Sequence, residues 1–378
     1  MAIKIVPHAA DKKDLVEAFN AKMRAGGSPW GFYVDPEPYW IPKTEDDQPV
    51  WREFHLAIED GDECVGGYGL KPQRWLIRGE EVTVTDWQGP FSLGAVDNRY
   101  ASLGLRFIRD MLRKQPMLYS WGHGGSDEKI VQLVKKLGWL LHETPFLFRV
   151  CQPKNFLQKN ALLRKDPRKA LAQDVLAISG LGTLGLHALH AALRMKSLTR
   201  FEARYEPVAD FASWTDEVWE RAKGDYLALA VRDQRAMRTL LPVEQRHSEW
   251  PAPTRIRVLK DGRTIGWAAV VEKQLSGDAR FGEMRVGVVA DAFGAIEDAP
   301  EVAHAAFDHL RASGVDMVMV NHSHPAWIAA YEAAGFFKVE DRRVFCASPK
   351  LLAALEPFEE TKRGLFLTNM DGHGPMLG

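Results

Sequence analysis

The residues whose types and spacing could do chemistry fall in two loops and one turn. Trp121-Gly122-His123-Gly124-Gly125-Ser126 follows the strand-like run MLYSW. Its glycines permit close backbone approach to a ligand, which makes Trp121, Gly122 and Gly124 candidate substrate contacts. His123 is a candidate base, because a neutral imidazole can take a proton from an amine near pH 7. Asn321-His322-Ser323-His324 follows the run VDMVMV. A strand's C-terminal end is where α/β sites gather, so Asn321 and His324 are candidate contacts too. The third stretch, Val96 to Arg106, leads from SLGAV into an amphipathic helix. It holds one glycine, Gly104, and two cations, Arg99 and Arg106. Free N–H groups and the positive end of a helix attract phosphate. Val96, Arg99, Ser102, Leu103, Gly104, Leu105 and Arg106 are therefore candidate phosphate contacts. The same glycine also suits a plain strand-to-helix turn.

Other features invite chemistry less. Asp86 and Glu143 are acids in strand and loop stretches, where a solvated side chain is the ordinary reading. His322 and His324 lie two residues apart but have no third ligand at a defined spacing, so no metal site is expected. Gly180-Leu181-Gly182-Thr183-Leu184-Gly185 fits a dinucleotide pattern, yet its neighbours read as helices rather than a βαβ unit. Three scattered cysteines give no disulfide framework.

The elements that must position these residues come in a repeated order. Strands are expected at 3–6, 54–58, 64–70, 75–85 and 91–96, with a turn at Asp60-Gly61. A helix follows Leu103, then MLYSW, the helix EKIVQLVKKL, Gly138-Trp139 and the strand PFLFRVC. Residues 29–50, rich in Pro, Trp and Tyr, read as a long loop of the kind that forms lids. Helices are expected at 155–164, 166–177, 184–195, 215–221 and 225–238. The second series has a hairpin at Asp261-Gly262, a strand at 283–289, a helix at 300–312 and a strand at 315–320. It closes with a helix at 325–334, Gly335-Phe336 and a strand at 339–345. The spacing between the two series is about 190 residues, too long for a solenoid, and implies two copies of one α+β unit. The expected division is 1–151, a helical linker 152–205, a second unit 206–350, and a short helix with a loose tail over 351–378.

With 378 residues, two domains are the prior. Composition is globular, 46% hydrophobic and 26% charged, and a net charge of −1 argues against general nucleic-acid binding. The first residues, MAIKIVPHAADKKDL, lack a long apolar run, so a cytoplasmic location is expected. The uncharged run 175–193 is near membrane-spanning length, but its glycines, histidines, Ser and Thr argue for a buried or interface helix.

The repeat resembles the GNAT N-acetyltransferase superfamily, and more closely tandem-GNAT proteins, which include Fem-type transferases and exopolysaccharide-associated members. The resemblance implies two GNAT-type domains, each a mixed, mostly antiparallel twisted sheet flanked by helices (α+β, α/β-like). It also implies acetyl-CoA or another acyl-CoA as cofactor, with its pyrophosphate over the turn at Ser102 to Arg106. In that pattern Gly104 is retained, while the leading Gln/Arg is Ala101 and the trailing small residue is Arg106. The corresponding second turn, 290–298, carries three acids and no base, so no pyrophosphate is expected there. The family's general-acid Tyr would be Tyr331, ahead of Gly335-Phe336, although a tyrosine on WIAAYEAAGF also suits a core. The implied activity is N-acyl transfer to a small-molecule, peptide or sugar amine in a groove between the halves, roofed by Trp30 to Trp40. A homodimer is compatible with this reading. A Fem-like aminoacyl transferase and a non-catalytic scaffold are the alternatives.

Overall fold

The computed structural model describes residues 2–35, 41–195, 201–244, 252–372 and 374. The first series of elements is β1 (Ile3–Pro7), α1 (Lys13–Ala25), β2 (Glu53–Glu59), β3 (Glu63–Ile77), β4 (Glu80–Ser92), α2 (Leu103–Lys114), β5 (Leu118–Trp121), α3 (Lys129–Lys136) and β6 (Leu140–Val150). Three helices follow: α4 (Pro153–Lys159), α5 (Pro167–Ile178) and α6 (Leu181–Met195). The second series is β7 (Arg204–Val208), α7 (Ser213–Ala222), β8 (Ala228–Ala230), α8 (Gln234–Leu240), β9 (Thr254–Lys260), β10 (Arg263–Gln274), β11 (Arg285–Gly294), α9 (Ala299–Ala312), β12 (Met317–Asn321), α10 (Pro325–Ala333) and β13 (Phe337–Ala347). The chain then adds α11 (Pro349–Leu355), α12 (Phe358–Thr361) and β14 (Leu365–Phe366).

Local chemistry explains most of these boundaries. Asp60-Gly61, Arg78-Gly79 and Asp261-Gly262 all have positive φ at both positions, the backbone of tight hairpin turns whose twist matches the strands. Arg78 tolerates that conformation while bonded at several points: its N–H donates to Leu227 O and its guanidinium to Glu360 and Thr361. In α2 the buried residues Leu103, Phe107, Ile108 and Met111 repeat at helical spacing, so one face packs on the sheet. Asp166 caps α5 by accepting from the N–H groups of Arg168 and Lys169, with Pro167 in the first turn.

One sheet runs through both halves in the order β1-β2-β3-β4-β5-β13-β6-β12-β11-β10-β9-β7. The last strand of each series has crossed into the other. β6 lies between β13 and β12, while β13 pairs with β5 over Tyr119–Trp121. Two parallel contacts matter for function, because at each the strands then part. β4 meets β5 only at Thr85↔Leu118 and Asp86↔Tyr119, whereas β11 meets β12 over four pairs from Val286↔Met317 to Val289↔Val320. Just beyond, both long strands carry a bulge, near Gly89 in β4 and at Ala290 in β11. Bulges of this kind bend a strand and re-aim its side chains.

The structure corrects several sequence expectations. Residues 93–95 form a single 3-10 turn rather than strand, and 225–238 contains the short strand β8 before α8. The tail expected to be loose is built into the molecule through Gly372. Leu365, Phe366 and Leu367 are fully buried, and β14 pairs with β8, which also pairs with β3. Trp121 Nε1 donates to Thr368 O at 2.7 Å, Lys71 Nζ to Met370 O at 2.7 Å and Asn321 Nδ2 to Asn369 Oδ1 at 2.9 Å. The tail therefore threads between the two halves. Apolar runs such as LFL buried between sheets are indistinguishable from a short loose segment by length alone.

Candidate functional site

The parting of β4 and β5 assembles a buried polar cluster. Asp86 is 1% exposed, Lys71 beside it in register is 0%, and Gln73, Thr85, Gln88 and Arg343 are buried around them. Lys71 Nζ donates to the carbonyls of Met370 and Gly372, and Tyr119 OH donates to Asp371 O. Gln88 Nε2 donates to one Asp86 oxygen at 2.9 Å. The other oxygen, Oδ1, lies near the Trp121 backbone without a well-formed hydrogen bond. Burial raises Asp86 to about 7 against the pull of Lys71, Gln88 and Arg52. Burial likewise lowers Lys71 to about 7 against the attraction of Asp86. A carboxyl poised near neutrality, with one oxygen lightly bonded, can accept a proton from an amine. In the sequence this residue is a weaker candidate, a strand acid expected to be solvated; its place in TVTDWQ, mid-strand before a tryptophan, is the one signal for burial.

His123 lies on the loop after β5, its ring 5.3 Å from that of Trp87. Burial lowers it to about 4, against a hydrogen bond with the Trp87 backbone. It stays neutral at pH 7, but protonating it costs too much for an efficient base. Gly122 and Gly124 have positive φ, as a loop returning to α3 requires. Trp121 is fully buried, donates to Thr368 O and lies under the Arg343 guanidinium, so it anchors the tail rather than facing a substrate.

The phosphate-type turn divides in two. Ser102 is exposed at the start of α2 with no side-chain cap, and a Cβ on Gly104 would meet nothing within 4 Å. The helix end is therefore open to an anion, with Gly104 inside the first turn rather than before it. Leu105 is half-buried there, and Leu103 and Val96 turn inward. The two arginines do not face this end. Arg99 pairs with Asp97 at 2.7 Å, and Arg106 donates to Ile3 O on β1. The seat that remains is made of backbone and fits a phosphate through N–H groups and dipole.

The second parting is closed. Asp291, 1% exposed, accepts from Arg232 Nε at 3.1 Å, and the same guanidinium donates to Asp371 at 2.6 Å. Burial opposes the charge on Arg232, but the two carboxylates more than offset it and raise its pKa. Phe366 stands edge-on to His322 and Trp327, and Arg232 lies over its ring. Tyr331 is 0% exposed, and its OH has no hydrogen-bond partner among the described residues. Burial raises it far above the usual phenol range, and aromatic neighbours wall it in. It is core rather than an accessible acid. His324 caps α10 by accepting from Ala326 N, and burial lowers it to about 4. Asn321 holds Asn369. In the turn before α9, Asp225 accepts from Ile296 N at 2.9 Å, so an acid of this chain already occupies that N–H.

A groove of about 820 Å³ lies between residues of the two series. One wall is Ile41 to Gln48, and the other is Asp216, Trp219 and Glu220 on α7 with Asp233 to Thr239 at α8. Four acids line it against two arginines, and Arg235 is already engaged by Glu45 and Asp47. The wall loop bonds to β3 next to the buried cluster, Trp51 N to Pro72 O and Arg74 N to Pro49 O. Trp30 does not line the groove; it stacks on Phe91 at 6.1 Å. Residues 36–40 of the expected roof lie outside the described residues.

No protein-family model matches the chain, and no curated protein matches it by sequence. Solved structures do match. A tandem GNAT protein from the clavulanic acid biosynthesis pathway is 14% identical with a TM-score of 0.51, covering 92% of this chain and 98% of that one. Saccharomyces cerevisiae N-myristoyltransferase with bound myristoyl-CoA is 9% identical, TM-score 0.54, covering 91% and 79%. A probable N-acyltransferase from Enterococcus faecalis V583 is 8% identical, TM-score 0.52, covering 94% and 75%. At such identities the likeness is one of fold: a mixed sheet with flanking helices, as in GNAT-type proteins including a tandem one.

Proposed function

We propose that the protein is an acyl-CoA-dependent N-acyltransferase whose working half is the first. The observation that carries this reading is Asp86, a buried carboxyl raised to about 7 at the parting of β4 and β5. The open N-terminus of α2 would seat the pyrophosphate of acetyl-CoA or a longer acyl-CoA through its N–H groups. The acceptor amine would enter by the groove between the two series, where carboxylates outnumber arginines four to two although Glu45 and Glu220 are already paired. Asp86 would take the amine proton as nitrogen attacks the thioester carbonyl. The cationic amine first gives one proton to solvent; as the neutral nitrogen attacks, the C–N bond forms and the C–S bond breaks, and the second N–H proton, taken by Asp86, ends on the displaced thiolate. The fold likeness to an N-myristoyltransferase and to GNAT proteins supports this class of reaction.

A non-catalytic binding protein is the second reading. It is favoured by the cover that Met370 to Gly372 lays over Lys71 and Gln88. A Fem-like transfer from aminoacyl-tRNA finds less support, because the groove is acidic where tRNA needs cations.

Thermal shift with acyl-CoAs of rising chain length, followed by CoA-thiol release over a panel of amines, separates these. Saturable stabilisation, about 3 kcal/mol at a hundred times Kd, with amine-dependent thiol release is expected. Binding without release on any amine supports the second reading. No stabilisation by any acyl-CoA overturns both as CoA proteins.

A further inference from the structure

The two helices after α4 carry an apolar face with no partner among the described residues. On α5, Leu171, Val175 and Ile178 follow one another at helical spacing and are 68%, 59% and 75% exposed. On α6, Leu181 and Leu184 are 62% and 67% exposed. A contiguous apolar stripe of this kind on a globular protein marks an interaction surface. The helices meet at Gly180, which has positive φ, and bend by 81°.

The hairpin is firmly held on its other side. A Cβ at Gly182 would overlap Leu157 of α4. His190 is buried, its Nδ1 within 2.9 Å of Gly335 O and its ring 4.7 Å from that of Phe337. The exposed face is therefore presented by a fixed base and is not a helix awaiting its place in the core.

Charge indicates what covers it. Lys165, Arg168 and Lys169 are exposed at the start of α5, one turn before the stripe. The acid inside the stripe's helix, Asp174, is neutralised by Arg164 at 2.7 Å, and Asp166 is spent on the helix cap. From Val175 to Leu193 the sequence has no charged residue. Apolar side chains in the acyl region with cations at the headgroups is the pattern of an interfacial helix on acidic lipid. Length excludes spanning by either helix alone: 12 and 15 residues reach about 18 and 22 Å at 1.5 Å per residue, short of the roughly 30 Å hydrocarbon core.

We propose that the α5–α6 hairpin docks the protein, without crossing, on an anionic membrane surface. This stands independently of the acyltransferase reading.

The test is flotation of the full chain with vesicles of phosphatidylcholine alone or mixed with phosphatidylglycerol, at low and high salt. Binding to the mixed vesicles is expected, at least about tenfold tighter than to neutral ones, and weakened by salt. Ile178→Glu with Leu181→Glu should lower it by at least about tenfold. Arg168→Gln with Lys169→Gln should lower it by about 25-fold, roughly fivefold per cation. All four side chains are exposed, so melting curves should match the parent. Failure to float on either vesicle overturns the proposal, as does unchanged flotation of the apolar double variant. A concentration-dependent dimer in sedimentation that this variant dissociates, without flotation, overturns it in favour of a self-association face.

Discussion

Each half of this chain parts two parallel strands near a buried aspartate, and the two acids are partnered differently. Beside Asp86 the neighbouring cation, Lys71, spends its hydrogen bonds on the carbonyls of Met370 and Gly372, and the side chain that bonds the carboxyl among the described residues is Gln88. Above Asp291 an arginine that cannot lose its proton binds the carboxylate directly and ties it to Asp371. The helix beyond Asp86 begins in open space at Gly104, whereas the turn beyond Asp291 has its N–H taken by Asp225. Asp86 lies within the last parallel pair of its junction and Asp291 just past the bulge at Ala290, so the two acids share a neighbourhood and not a register. In the proposed reading the first accepts a proton and the second is a structural tie. Burial raises both acids, Asp86 to about 7 and Asp291 to about 6, each against a neighbouring cation; what differs is that Arg232 hydrogen-bonds the Asp291 carboxylate and consumes its lone pairs.

The comparison is broken most severely at its two acids. Asp86→Asn should reduce amine-dependent thiol release by about 10³-fold, within the range of a lost general base, while acyl-CoA still binds. Asp291→Asn in the same assay should leave the rate of the folded protein nearly unchanged. Equal losses from both would dissolve the distinction. On stability the order reverses. Arg232→Met leaves Asp291 and Asp371 buried side by side without a cation, and a loss of about 3 kcal/mol is expected in denaturant titration. A variant as stable as the parent would show that the triad does not tie the tail to the second half.

What the sequence shows of this arrangement follows from periodicity and turn chemistry. The doubled order of hairpin, strand, helix, strand, helix, strand is written in local signals such as Asp60-Gly61 and Asp261-Gly262, and these hold in the structure. The crossing of β6 and β13 is written nowhere locally, because a strand's pattern does not name its neighbour. The site is legible to the extent that it is backbone. Gly104 and Ser102 stand open at a helix end, which leaves space for the proposed anion. Side-chain roles fared worse, because they depend on what is folded over them. Tyr331, His324 and Trp121 are enclosed or committed as a core residue, a cap and a tail anchor. Asp86 and Lys71 acquire perturbed proton affinities only when Met370 to Gly372 cover them, about 300 residues downstream in the chain.

The helix ends sharpen the comparison at a smaller scale. Gly104→Asp places a carboxylate where the pyrophosphate would lie, and calorimetry with acetyl-CoA should show affinity weakened by about tenfold or more. In the second half, Asp225→Asn frees the Ile296 N–H of its acid but leaves Glu297 and Asp298 in place, so the number of acyl-CoA bound per chain should stay at one. A second binding event would mean that Asp225 alone closes that seat.

The finest distinction lies within the first half, between Asp86 and His123. Asp86 must be ionised to accept the amine proton, and burial raises it to about 7, opposed by Lys71, Gln88 and Arg52. Below about pH 7 the protonated fraction grows, so kcat/KM should fall tenfold per pH unit, and above it the rate should level off. His123 lowered to about 4 is neutral throughout this range and contributes no titration there. His123→Gln should therefore leave the acid limb in place and change the rate by less than about threefold, since the glutamine amide can still bond the Trp87 backbone. Movement of the limb in this variant would transfer the proton-accepting role from the strand to the loop. The limb surviving in Asp86→Asn would have the same consequence, because a base on β4 requires the limb to vanish with its carboxyl.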